Sequence, residues 1–203
     1  MRRFFPAVAV VCCLGALNLF AADKEEVIQL KDRYFRSWVT ADLRDVLAMA
    51  HPEFTHVTGG FTVNHQQLEF VARLYDMMEK LQKPEAGLVD FLQFAMITQG
   101  GSLSAAQRKH FAELEKTPKG QEMLRQMRAK LLQETAARKE KAAQAEKLLA
   151  KRRLVSCTGD GEKISVVIAL PPAKENEKEE IYTCEWVKVD GKWLIKSCIT
   201  TAK

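Results

Sequence analysis

Asp190-Gly191 separates two runs, residues 181–189 and 192–200, that are rich in β-branched and aromatic side chains. Asp-Gly between such runs is the strongest short-range signal for an antiparallel hairpin, because the tight turn needs positive φ at both positions. A second hairpin precedes it. Residues 154–158 and 163–170 flank Gly159-Asp160-Gly161, and Pro171-Pro172 with the charged run 174–180 forms the loop between the hairpins. The last fifty residues are therefore predicted to be β.

The rest of the chain reads as helical. In residues 24–40, Val27, Leu30, Tyr34, Phe35 and Trp38 recur at three- and four-residue steps and make one apolar face. Asp42 is placed to cap a short second helix through Met49, closed by Pro52. Residues 54–58 and 61–63 are β-prone around Gly59-Gly60. Asn64 caps a third helix carrying Leu68, Val71, Leu74, Tyr75 and Met78. Beyond Pro84 come an apolar helix over 88–97 stopped by Gly100-Gly101, a helix begun by Ser104, and a long one begun by Thr117-Pro118. Nothing breaks that last helix before about Arg153. Its stripe of Met123, Met127 and Leu131 gives way to Ala and charge, so it is expected to project into solvent or pair with a partner helix.

The first 22 residues stand apart. Arg2 and Arg3, an apolar stretch from 7 to 20, and small Ala21-Ala22 before Asp23-Lys24-Glu25-Glu26 have the layout of a secretory signal peptide. The apolar run is shorter than the ~20 residues a membrane-spanning helix needs. Bulky Val11 and Cys12 precede Cys12 and Cys13, which argues against a lipid anchor. Export to the periplasm or medium is the expectation.

Loss of that segment removes two Arg and no acid, leaving 29 basic and 26 acidic residues, a net charge of +3. This is too small an excess to point to nucleic acid. Residues 101–153 hold 14 Lys and Arg against 6 acids, so any contact with an anionic envelope surface would be peripheral and through this segment. Cys157, Cys184 and Cys198 remain, an odd number for an exported chain. A simple two-residue turn pairs Cys184 with Ser197. A bulged turn with one extra loop residue would bring Cys184 opposite Cys198 and permit a disulfide. Neither the cysteines nor His51, His56, His65 and His110 have metal-ligand spacing, and no cofactor loop is present.

Three helices around a short strand, then paired hairpins ending in Val-Asp-Gly-Lys-Trp-Leu-Ile at 189–195, resemble the nuclear transport factor 2-like superfamily, which includes ketosteroid isomerases. The resemblance implies an α+β fold with a cone-shaped, curved antiparallel sheet packed on the N-terminal helices. It covers residues 23–83 and 152–203 and leaves 84–151 as a helical insertion. Within the insertion, Phe111 followed by Thr117-Pro118-Lys119-Gly120-Gln121-Glu122-Met123 is similar to a helical motif of an uncharacterised bacterial secreted domain.

Residues 34–43 align without gaps with the first helix of the isomerases. By that resemblance Tyr34 falls on the tyrosine that holds an enolate oxygen, Glu185 near the buried acid, and Thr58 on the base position. Thr58 is no base near neutral pH, and His56, two residues back on the same face, could substitute. Alternation puts Glu185 on one face with Val187 and Val189, read as the apolar face, where a carboxyl group would keep its proton. Otherwise Tyr34 and Glu185 bond each other or a core water. The expected pocket comprises Tyr34, Trp38, Thr58, Glu185, Val187 and Trp193. The set is chemically incomplete, which favours a non-catalytic binding or assembly module. It would take a small apolar ligand, a second copy or a protein partner through the sheet or the helical arm. An isomerase or dehydratase using Tyr34, His56 and Glu185, and envelope binding through the basic segment, are the alternatives.

Overall fold

The computed structural model describes residues 5–40, 42–172 and 178–202; for residues 5–20 and 148 only the backbone is described. The first four residues of the expected leader and residues 174–177 of the expected loop lie outside the described residues. Among the described residues the elements in order are α1 Phe5–Thr40, α2 Arg44–Met49, β1 Ala50–Thr58, β2 Phe61–Asn64, α3 His65–Leu81, α4 Leu88–Thr98, α5 Ala105–Glu115, α6 Pro118–Leu149, β3 Arg153–Gly159, β4 Lys163–Leu170, β5 Glu180–Val189 and β6 Lys192–Ala202. Among the described residues no helix is long and apolar enough to cross a membrane.

The six strands form one curved, open sheet in the order β2-β1-β6-β5-β4-β3. The sheet is mixed, not wholly antiparallel as expected, because β1 runs parallel to β6. Hairpin turns force their strands to be antiparallel. No hairpin joins β1 to β6, so their direction is free to follow the path of the intervening chain. β1 also begins at Ala50 and carries Pro52 inside it, where the sequence placed only a helix stop. Proline cannot donate to a ladder. The pairing to β6 accordingly jumps from Ala50↔Ile195 to Thr55↔Ser197, with an irregularity between.

Asp190-Gly191 makes the expected two-residue turn, with φ of 49° and 78°, and pairs Val189 with Lys192. Further along, Trp186 faces Ile195 but Glu185 faces Ser197, so Lys196 is an extra residue. The bulge that the cysteine argument required thus lies within β6 and not in the turn. It sets Cys184 opposite Cys198, both fully buried and both free thiols.

Two compact units divide the chain: residues 1–68 with 145–203, and residues 69–144. In the first, the inward side chains of β4 to β6, including Ile164, Val166, Ile168, Trp186 and Ile195, are buried with Val27 and Tyr34 of α1. In the second, Leu81, Ala86, Phe91 and Leu124 form a small cluster, against which Phe94, Met127 and Leu131 pack.

Local chemistry fixes the helix ends. Asn64 and Gln67 bond each other's backbone amides, as do Ser104 and Gln107, each pair satisfying two donors at a helix start. Asp42 behaves differently from expectation. Its carboxylate takes the Arg44 amide and guanidinium, while Leu43 occupies the cap position of α2. The Thr-Pro-x-Gly segment has a structural role. Thr117 Oγ1 accepts the Gly120 amide, and a Cβ on Gly120 would stand 2.0 Å from the Leu114 carbonyl oxygen. Only glycine lets α6 start that close to the end of α5.

Candidate functional site

α1 lays Tyr34, Phe35, Trp38 and Val39 toward the sheet, the consequence of the three- and four-residue apolar steps in its sequence. β1 brings His56 inward beside Cys198, its partner in the parallel register. A row of inward residues thus crosses four neighbouring strands: His56, Cys198, Cys184 and Val166. Tyr34 lies over this row, fully buried, and its hydroxyl is 2.6 Å from His56 Nδ1. Its ring meets those of Phe35, Phe54 and Trp186 edge-on at 5.3–6.4 Å between centroids.

Burial decides the protonation states here. Desolvation, with smaller contributions from Cys198 and Cys184, raises the Tyr34 hydroxyl well above its ordinary 10, so it keeps its proton. Desolvation also lowers His56 to about 4, so the imidazole is neutral at pH 7. A protonated phenol 2.6 Å from Nδ1 donates to it, which assigns the imidazole hydrogen to Nε2. That nitrogen has only a long contact, 3.4 Å, with Thr200 Oγ1. The Trp38 indole nitrogen is buried beside the Tyr34 hydroxyl but makes no well-formed hydrogen bond.

His56 forms part of the wall of a cavity of about 270 Å³. Phe35, Trp38 and Val39 of α1, Ala145 and Leu149 of α6, and Leu170 and Tyr182 of the sheet supply most of the wall, with Thr58 beside His56. The Tyr182 hydroxyl is tied to the exposed Glu180 carboxylate at 2.5 Å.

Of the expected pocket residues, Trp38, Thr58 and His56 line the cavity, and Tyr34 stands directly behind His56. Glu185 does not join them. Cys184 and Trp186 are the fully buried residues of β5, and Glu185 points to the other face, where it pairs with Lys163 at 2.6 Å with its side chain 31% exposed. Val187 shares that outer face. The covered face is the opposite of the one the alternation predicts, because β5 carries apolar residues on both faces and only the position of α1 decides which is covered. Tyr34 therefore bonds His56 and not Glu185. Trp193 is buried, but its indole N–H bonds Asp23 away from the cavity. Asp23 also takes Lys188 at 2.6 Å, and the Lys188 bond is the main reason its carboxyl titrates lower than usual. The sequence reading missed Val39, Leu170 and Tyr182, which sit on recognisable elements, and Ala145 and Leu149, whose Ala-and-charge surroundings gave no signal. Among the described residues no group of three or more His, Cys, Asp or Glu is placed to hold a metal.

No protein-family model matches the chain, and no curated protein matches it. Solved structures do. A nuclear transport factor 2-like protein of unknown function from Silicibacter pomeroyi is 8% identical with a TM-score of 0.39, over 87% of this chain and 92% of that one. One from Pseudomonas putida is 9% identical with a TM-score of 0.38, over 90% and 88%. A de novo designed protein with a curved β-sheet is 8% identical with a TM-score of 0.38, over 90% and 99%. These likenesses carry no information about ligand or reaction. By its own topology the chain is an α+β fold, with helices packed on a curved, open, mixed sheet in the order β2-β1-β6-β5-β4-β3.

Proposed function

We propose that the chain is an exported, non-catalytic module that binds a small, mainly apolar molecule in the cavity beneath α1. The carrying observation is the cavity itself: about 270 Å³, walled by Phe35, Trp38, Val39, Leu149, Leu170 and Tyr182, with a neutral imidazole at its edge. Its size is just below the roughly 300–1,000 Å³ of drug-sized ligand cavities, which suits a small ligand. Burying an apolar ligand there gains roughly 25 cal/mol per Å² removed from water. His56 Nε2–H, only weakly engaged by Thr200, offers one donor that orients an acceptor on the ligand. Among the described residues no carboxylate lines the cavity, and a histidine that titrates near 4 is a weak base at neutral pH. Both observations favour binding over proton-transfer chemistry.

Titration of the full chain with octanol, followed by tryptophan fluorescence, tests the reading, since Trp38 is part of the wall. Saturable binding that Val39→Trp abolishes, with the fold intact by circular dichroism, is expected. Absence of binding, or binding indifferent to Val39→Trp, overturns it. Export is supported by the leader-like first 22 residues. Recovery outside the cytoplasm of a chain whose amino terminus is near Asp23 is the expected result. A cytoplasmic chain that still begins at Met1 rules export out.

A further inference from the structure

A second, polar cavity of about 240 Å³ adjoins the apolar one. Asp32, Arg36, Glu146, Leu149, Ala150 and Arg152 line it. Leu149 belongs to both walls, and the two cavities run along the same pair of elements. α1 gives Phe35 and Val39 to one and Asp32 and Arg36 to the other; the end of α6 gives Ala145 to one and Glu146 to the other. The Arg152 guanidinium marks the boundary, 5.7 Å from the ring centroid of Phe35, which lines the apolar side.

The lining of the polar cavity carries two guanidiniums and two carboxylates, and a further cation, Lys31, reaches one of the carboxylates from outside it. Arg152 is bonded to Asp32, Lys31 pairs with the same carboxylate at 2.9 Å, and Arg36 stands 3.7 Å from Glu146. With Lys31 counted, the ion-pair cluster holds three cations to two carboxylates, although Lys31 itself stands outside the lining. The Arg36–Glu146 contact is loose and largely solvated, with side chains 72% and 52% exposed, so it holds Arg36 weakly. A planar guanidinium with one loose partner is suited to clasp an incoming carboxylate or phosphate through two N–H groups.

We infer that the ligand is a single-chain amphiphile with one anionic head group. Its apolar chain fills the cavity beneath α1, and its head is held by Arg36 beside Arg152. The inference rests on the cavity reading above and deepens it. The apolar cavity, about 270 Å³, has room for a short alkyl chain, for which an octyl chain is the probe. The loosely held Arg36, in an ion-pair cluster with one more cation than carboxylates, matches a monoanion.

Octanoate and octanol share a chain and differ in the head, so their titration into the full chain separates the two readings. Octanoate is expected to bind at least about tenfold more tightly than octanol at low salt. Arg36→Gln is expected to bring the two within about twofold by weakening octanoate alone, and Glu146→Gln to tighten octanoate by removing its competitor for Arg36. Equal binding of the two ligands, with Arg36→Gln changing neither, overturns the head-group assignment while the apolar cavity reading stands. Failure of both ligands to bind overturns both. Octyl phosphate beside octanoate distinguishes a phosphate from a carboxylate source, and preference for either supports the inference.

Discussion

In the strand-bearing unit the fully buried side chains include the large ones Trp186, Tyr34, Phe54, Ile164, Ile168 and Ile195. Most of them come from residues far apart in sequence. In the helical unit, residues 69–144, the buried set is Ala72, Leu81, Ala86, Leu88, Phe91, Leu103 and Leu124, and α5 buries nothing. What that unit lacks in core it makes up at helix ends. Glu115 accepts the Leu88 amide at 2.8 Å, Asp90 the Gly87 amide at 2.8 Å, and Arg128 donates to the Pro84 and Ala86 carbonyls at 2.6 Å each. One unit rests on long-range burial and the other on caps and close backbone approach. The difference teaches where each is vulnerable: the first to a lost volume, the second to a lost end.

Trp186→Ala should have the largest effect, a loss of about 3–5 kcal/mol in denaturant unfolding, because it empties the middle of the buried face. A loss below ~1 kcal/mol would break the comparison. Acidification comes next. His56 titrates at about 4 in the folded chain against about 6.5 unfolded. Its contribution is thus complete above pH 6.5 and disappears as pH falls from 6.5 through 4, because the unfolded chain takes up the proton first. Two to three pH units correspond to about 3 kcal/mol. Chemical unfolding at pH 7 and pH 4 should show this steepness, reduced in His56→Gln. Equal slopes in the two proteins would remove His56 from the account. Gly120→Ala sharpens the other side of the comparison. Its methyl must displace the Leu114 carbonyl, at an expected cost of about 1–3 kcal/mol. The smallest effect belongs to Glu185→Gln. A pair with Lys163 this exposed is expected to be worth under ~1 kcal/mol, and thermal unfolding should barely move. A large loss would return Glu185 to the list of buried acids.

Much of the fold was legible because the relevant physics is local. Asn64, Ser104 and Thr117 announce helix starts through side chains that reach amides three residues on, and Asp190-Gly191 announces its turn through positive φ. The site was half legible. Trp38, Thr58 and His56 were placed on the correct faces because their elements bury one face only. Glu185 and Val187 were not, because β5 is apolar on both faces and its pattern carries no sign.

The sequence by itself determined the sites of the turns and caps and the three- and four-residue stripe of α1, since each depends on atoms a few residues apart. Tertiary structure alone decided the parallel pairing of β1 with β6 and the bulge at Lys196 that sets Cys184 against Cys198. It also decided which face of β5 is covered, and that Tyr34 bonds His56. These outcomes depend on which surface packs against which, and no short-range pattern in the chain encodes that choice.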